Sequence, residues 1–243
     1  DLFKIRDAMT WRDALNGKYE AKLTDYIKFL KQNSTSEYDC MIGLSGGLDS
    51  SYMLHKLVAD YGLKPLCLHV DAGWNTHVAI TNINKLVSSL NVDLKVVVID
   101  WNEIKELQLA FLRSNVSQQD TPQDHAFFAT LYDYALRLGL RTIVSGSNLS
   151  SEAVQVPLEW IYYPSDIRQL NDIERRFCRI PLSKFPKTSV IQKKIISRYF
   201  GGIREFHPLN LFRYIKSEAQ ELLTETYGFT TFAEKHYESI FTK

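Results

Sequence analysis

Tyr38-Asp39-Cys40-Met41-Ile42-Gly43-Leu44-Ser45-Gly46-Gly47-Leu48-Asp49-Ser50-Ser51 decides how the chain is read. The apolar run from Cys40 to Leu44 reads as a short buried strand, stopped by a Ser-Gly-Gly turn. Asp49-Ser50-Ser51 then opens a helix that continues through Met53, Leu54, Leu57 and Val58 to Tyr61. Glycines in such a turn let backbone N–H groups crowd round an anion, and the helix start adds the positive end of its dipole. Ser45, Ser50 and Ser51 supply hydroxyls, and Asp49 supplies a carboxylate able to hold a metal beside phosphates. A Walker A loop needs a lysine that is missing here, so an ordinary P-loop is excluded. Two other readings stay open at this point. Gly43-Leu44-Ser45-Gly46-Gly47 satisfies G-x-S-x-G, the elbow that would make Ser45 a nucleophile. The plainer alternative is a glycine turn before a helix capped by Asp49 or Ser50.

A chain of 243 residues has ample length for a real core, as one large domain or a domain with an appendage. With 29 basic and 28 acidic residues the net charge is +1, so no general field attracts nucleic acid or an anionic membrane. No apolar run approaches the roughly 18 residues of a transmembrane helix, and no signal peptide is visible. The three cysteines, Cys40, Cys67 and Cys178, are widely spaced and read as reduced core or near-core residues of a cytoplasmic protein. No Cys-x-x-Cys pair marks a zinc or iron–sulfur site. The chain opens without methionine and ends inside a continuing pattern, which reads as a fragment.

Taken in order, a helical pattern over Trp11 to Gln32 is interrupted at Asn16-Gly17 and followed by a polar loop. A hydrolase elbow normally follows several strands, and this one follows a helix, which counts against it. Strands are expected at Pro65–Val70, Leu94–Ile99 and Thr142–Ser145, with helices between them. This alternation means an α/β fold: a parallel twisted sheet with helices on both faces. Ligands of such sheets lie beyond the carboxyl ends of the strands, so Ser45–Gly47, Asp71–Trp74, Asp100-Trp101 and Gly146–Asn148 face one crevice. Glu152 follows the last of these and is placed to help Asp49 hold Mg²⁺. Later helices are expected at Ser165–Phe177, Lys187–Phe200, Lys216–Tyr227 and Thr231–Ile240, with Trp160-Ile161-Tyr162-Tyr163 in a loop over the crevice mouth. The domain division is a helical segment at 1–36, a nucleotide-binding domain at 37–200 and a helical segment at 201–243.

Ser45-Gly46-Gly47-Leu48-Asp49-Ser50-Ser51 resembles the SGGxDS signature of the PP-loop ATP pyrophosphatases, adenylating enzymes that release AMP and pyrophosphate. Within them, Gly73-Trp74-Asn75, Ile99-Asp100-Trp101, Leu107–Leu112, Pro122–Ala126, Ser145–Asn148 and Lys235–Ser239 resemble bacterial N-acetyl sugar amidotransferases of lipopolysaccharide and surface-polysaccharide synthesis. The resemblance implies an adenine nucleotide alpha hydrolase-like (HUP-type) sheet and an ATP- and Mg²⁺-dependent reaction on a nucleotide-linked N-acetyl sugar. Its acetamido oxygen is adenylylated, then replaced by ammonia from a glutaminase/cyclase-like partner. A homo-oligomer is compatible with it. Two departures are the missing Cys-x-x-Cys region at the front and the missing continuation after Lys235–Ser239.

Residue by residue, the resemblance assigns Ser45, Gly46, Gly47, Leu48, Asp49, Ser50 and Ser51 to the pyrophosphate. Gly146, Ser147 and Asn148 complete the nucleotide site, and Asp49 and Glu152 hold the metal. Asp71 and Trp74 approach the adenosine, although a core role for Trp74 is equally compatible with an aromatic here. Pro181-Leu182-Ser183-Lys184-Phe185-Pro186-Lys187 resembles the late segment whose lysine reaches the phosphates, with Lys187 the better match and Lys184 the reserve. Asp124 and His125 face the sugar or the ammonia on this reading; on physics alone they are a first-turn carboxylate and a partly buried ring. Competing functions are a tRNA-modifying or NAD-synthetase-like relative, a serine hydrolase, and a nucleotide-binding subunit without turnover. The absent Cys-x-x-Cys and the lack of a basic stripe count against tRNA.

Overall fold

The computed structural model describes residues 11–32, 34, 37–148, 164–231 and 239–241. Glu152, the Trp160–Tyr163 cluster, most of the expected helix at Thr231–Ile240 and the first four residues of Lys235–Ser239 lie outside them.

Helices α1 (Trp11–Leu15) and α2 (Glu20–Gln32) precede β1 (Cys40–Gly43). Then come α3 (Leu48–His55, prolonged by a π-helical turn at Lys56–Asp60), β2 (Pro65–Asp71), α4 (His77–Leu90), β3 (Asp93–Val98), α5 (Trp101–Ser114), α6 (Thr121–Arg137) and β4 (Thr142–Val144). The later chain forms α7 (Ile167–Phe177), a π-helical stretch (Gln192–Phe200), β5 (Arg204–Phe206), a 3-10 turn (Pro208–Asn210) and α8 (Lys216–Tyr227). All strand pairings are parallel, in the order β3-β2-β1-β4-β5. This is the expected α/β class, a parallel sheet with helices packed on it.

Side-chain alternation explains the two covered faces. Cys40 and Ile42 of β1 and Cys67 of β2 pack with Leu23 and Ile27 of α2, Met53 and Leu57 of α3, and Leu223 of α8. Met41, Leu66 and Leu68 point the other way, against Leu131 and Ala135 of α6. A third cluster joins Ile104, Leu107 and Phe111 of α5 to Leu170 and Ile173 of α7. Burial raises the thiol pKa of Cys67 to about 12, and that of Cys40 is raised too, so both stay protonated as core residues.

The chain leaves β1 towards β2 and β3, then returns to lay β4 on β1's other side. Connections leaving neighbouring strands in opposite directions open a crevice at their carboxyl ends, here between β1 and β4. Backbone bonds fix the strand ends together: Leu44 N donates to Leu68 O at 2.8 Å, Ile99 N to Asp71 O at 2.8 Å and Ser145 N to Phe206 O at 2.9 Å.

Three local expectations need correction. A fifth strand, β5, comes from beyond residue 200 and pairs with β4 through Thr142↔Arg204 to Val144↔Phe206. The helix expected from Lys187 begins only at 190. Thr188 N is used by His125, and Ser189 Oγ accepts from Gln192 N at 3.0 Å, which starts the helix after Ser189. The third correction concerns α3 and is taken up with the site. Among the described residues no helix is long and apolar enough to cross a membrane.

Candidate active site

The turn after β1 is held by close backbone approaches. Gly46 has φ +81°, and a Cβ there would stand 2.5 Å from the Ala79 carbonyl oxygen of α4. Helix α3 then starts at Leu48 with Gly47 as its N-cap, in extended conformation and with no side-chain cap bond. Neither Asp49 nor Ser50 is the cap, because the sharp bend at Gly46 starts the helix before them. The first N–H groups of α3 are left without a capping side chain, the arrangement that suits an anion. Ser45 Oγ lies 3.3 Å from Ser50 Oγ and accepts from Gly47 N at 3.3 Å. Ser51 Oγ is buried and has no hydrogen-bond partner among the described residues. No histidine among the described residues bonds to Ser45, the partner a nucleophile elbow would call for.

Across the crevice, the end of β4 presses on this helix start. A Cβ on Gly146 would stand 3.0 Å from both Ser50 N and Ser50 Cα. Asn148, 3% exposed, donates from Nδ2 to Asp49 Oδ2 at 3.1 Å and to Gly146 O at 3.3 Å. The other oxygen, Asp49 Oδ1, accepts from the Tyr214 hydroxyl, whose ring packs tilted against Tyr52 with centroids 5.4 Å apart. Gly46, Gly146, the uncapped helix start and the orphaned Ser51 hydroxyl together fit a polyphosphate. Asp49 adds a hard oxygen donor of the kind Mg²⁺ takes. Among the described residues no three His, Cys, Asp or Glu side chains cluster as a metal site.

At the end of β2, Asp71 Oδ1 accepts from Gly73 N at 2.8 Å and Asn75 Nδ2 at 2.9 Å, closing the turn on itself. Trp74 packs edge-on against Trp101 with centroids 5.0 Å apart and lies 5.6 Å from Phe241. Its Nε1 is buried without a partner among the described residues. The main chain here also pairs with the far C-terminal residues, Ile240 N donating to Trp74 O at 2.6 Å.

Asp124 is exposed in the first turn of α6. His125, beside it, is fully buried: Nδ1 lies 2.6 Å from Pro164 O, and Nε2 accepts from Thr188 N at 3.0 Å. Nδ1 is thus the protonated nitrogen, and burial lowers the pKa, so the ring is a neutral clamp between two loops. Lys187 Nζ pairs with Glu174 at 2.6 Å, and Lys184 Nζ with Asp100 at 3.0 Å. Both lysines line a cavity of about 750 Å³ beside β3, with Val98, Trp101, Tyr134 and Arg137. The cavity lies away from the glycine turn, whose residues are not part of its wall.

Three contributors had no signal in sequence spacing. Tyr214 reaches Asp49 across 165 residues. Glu103, in the first turn of α5, accepts from Ser183 N at 3.0 Å, Ser183 Oγ at 3.0 Å, Lys184 N at 2.9 Å and Phe185 N at 2.7 Å. Burial pushes its pKa up, but these donors outweigh that and hold it below the usual glutamate range. His207, just past β5, sits with Nδ1 2.8 Å from Ser147 Oγ.

No protein-family model matches the chain, and no curated protein matches it. Among solved structures it is similar to an NMN synthetase from Francisella tularensis, 16% identical over 90% of this chain and 98% of that one, TM-score 0.43. It is also similar to an NH3-dependent NAD synthetase from Campylobacter jejuni, 18% identical over 89% and 84%, TM-score 0.43. A third is the U34-tRNA thiolase NcsA from Methanococcus maripaludis, 15% identical over 91% and 68%, TM-score 0.48.

Proposed function

We propose that the chain is an ATP-dependent, AMP-forming amidotransferase. It adenylylates the acetamido oxygen of a nucleotide-linked N-acetyl sugar and replaces it with ammonia from a glutaminase-type partner, giving an acetamidino sugar, AMP and pyrophosphate. The observation that carries the ATP part is the meeting of two strand-end junctions at the β1/β4 crevice. Gly146 lies against the Asp49–Ser50 backbone, Asn148 holds Asp49, and an uncapped helix start points its N–H groups into the same space. The sugar and the partner rest on the sequence resemblance.

The chemistry asks little covalent work of the protein. An amide oxygen is a poor leaving group; joined to AMP it becomes a good one. Catalysis is then positioning and electrostatic stabilisation of the departing pyrophosphate. Ser45, Ser50 and Ser51 hydroxyls and the first N–H groups of α3 would hold the phosphates. Asp49, with Glu152, would hold Mg²⁺, which neutralises phosphate charge when bound. This division gives Ser45 the role of ligand, in keeping with the absence of a histidine partner for it among the described residues.

The test is product identity. Natural full-length protein with ATP, Mg²⁺, ammonium and a panel of UDP-, GDP- and CMP-linked N-acetyl sugars should release AMP and pyrophosphate only when a competent sugar is present. ADP and orthophosphate as products would sink the proposal.

A further inference from the structure

We propose that Tyr214 is a positioning residue, holding the Asp49 carboxylate in the orientation in which it takes a divalent cation beside the nucleotide. This deepens the reading above and rests on it. Asp49 lies half-buried in the first turn of α3. The terminal torsion of an aspartate is broad, so the plane of its carboxylate is set by what bonds to it. Two donors from distant parts of the chain do this. Asn148 Nδ2, in the junction after β4, donates to Oδ2 at 3.1 Å. The Tyr214 hydroxyl, in the segment between β5 and α8, donates to Oδ1. A bond on each oxygen fixes the tilt of the carboxylate as well as its place.

Tyr214 is itself firmly aimed. It is 7% exposed, belongs to the core cluster beneath α3 and packs its ring against Tyr52. The segment that carries it is anchored on both sides. Upstream, His207 Nδ1 lies 2.8 Å from Ser147 Oγ, and the buried Phe212 stacks on Tyr61 with centroids 5.9 Å apart. Downstream, the Tyr227 hydroxyl at the end of α8 lies 2.6 Å from His55 Nδ1 at the end of α3. The phenol oxygen therefore reaches Asp49 from a support that the rest of the ring has already fixed.

A buried tyrosine hydroxyl seeks some acceptor, and many would satisfy it. Here the acceptor is the carboxylate at the uncapped start of α3, on the oxygen opposite the one Asn148 bonds. An ionised carboxylate offers about four acceptor directions, so accepting these bonds is compatible with ligating a cation. Partners that hydrogen-bond a ligating carboxylate orient it, and their loss weakens the metal although they never touch it. Ring and hydroxyl thus have separable duties: the ring packs, and the oxygen sets the angle of Asp49.

Tyr214→Phe keeps the ring and removes the hydroxyl. Tyr227→Phe is its control, removing a hydroxyl that links α8 to α3 through His55 instead. ATP binding to the full-length protein is measured by calorimetry with EDTA and over a series of free Mn²⁺ concentrations. In wild type Mn²⁺ should tighten ATP, and Asp49→Asn should abolish that gain. In Tyr214→Phe the free Mn²⁺ giving half of the gain should rise about tenfold or more, the usual effect of losing such a partner, with the EDTA affinity unmoved. Tyr227→Phe should match wild type in both. An unchanged Mn²⁺ requirement in Tyr214→Phe, or an equal rise in Tyr227→Phe, overturns the positioning role. So does a lower requirement, which would make the hydroxyl a competitor of the cation. If Mn²⁺ does nothing for ATP in wild type, or its gain survives Asp49→Asn, the metal-holding reading of Asp49 falls, and the positioning role with it.

Discussion

Gly146→Ala tests whether the two halves of the crevice are as tightly apposed as they look. The added Cβ would stand 3.0 Å from Ser50 N and Cα and 3.3 Å from the Asp49 carbonyl carbon. Carbon contacts settle at about 3.5–4.0 Å, so the end of β4 and the start of α3 must part by roughly 0.5–1 Å. All three neighbours are backbone, and no side-chain rotation can absorb the clash. Overpacking of this kind costs about 1–3 kcal/mol. For a domain of this size each kcal/mol lowers Tm by about 2–4 °C, so the variant should melt about 2–12 °C below wild type. The same parting stretches the 3.1 Å bond from Asn148 to Asp49 and spoils the anion cradle. ATP affinity by calorimetry should drop about tenfold or more, equivalent to about 1.4 kcal/mol. Gly139→Ala is the control: Gly139 has φ +67° but nothing within 4 Å of its Cβ position. It should lose about 1–2 kcal/mol of stability from backbone strain and keep its ATP affinity. A Gly146→Ala protein that melts with wild type and binds ATP normally would refute the apposition.

Ser51→Ala removes a buried hydroxyl that has no partner among the described residues, so thermal stability without nucleotide should hold or rise by up to about 1–3 kcal/mol while ATP affinity falls. A loss of stability with unchanged affinity would show that Ser51 serves packing alone. Glu103→Gln places an amide against the N–H groups of residues 183–185 and should lower urea stability by about 1.5–3 kcal/mol; a change below about 0.5 kcal/mol would refute the clamp. Because that carboxylate's folded pKa is depressed, its contribution is full above the ordinary value of 4.5 and is lost as pH falls through the folded value, so the gap between wild type and Glu103→Gln should close in acid. His125 is buried neutral with a lowered pKa, so below 6.5 the unfolded chain takes up its proton first. Its stability contribution is present above that value and lost as pH falls, and the urea midpoint should drop less in His125→Gln than in wild type between about pH 7.5 and 5.5; equal drops would contradict the buried neutral ring.

The central strands were legible because each is a short apolar run between a polar approach and a glycine or acidic exit, as at Cys40–Gly43 and Pro65–Asp71. β5 was not, since Arg204-Glu205-Phe206 carries one buried residue in three and pairs only because β4 offers it an edge. The glycine junctions at Gly46 and Gly146 were visible as residue types, and their close approaches follow from the lack of a Cβ. Asp and Ser favour the N-cap position in general, which made Asp49 or Ser50 a natural alternative, whereas the bend at Gly46 gives the cap of α3 to Gly47. Tyr214, Glu103 and His207 act across 165, 80 and 60 residues of sequence, distances over which only the folded sheet brings partners together.

The segment from Ser183 to Thr188 is strung between two buried acceptors, Glu103 for residues 183 to 185 and His125 for Thr188. A backbone anchored at both ends cannot swing like a lid, so Lys187 is carried on a fixed post between those anchors. Its remaining freedom is in its own side-chain torsions, with Glu174 as the resting partner of its ammonium. Any change of partner by this ammonium is a rotamer flip competing with an ion pair, far faster than loop closure.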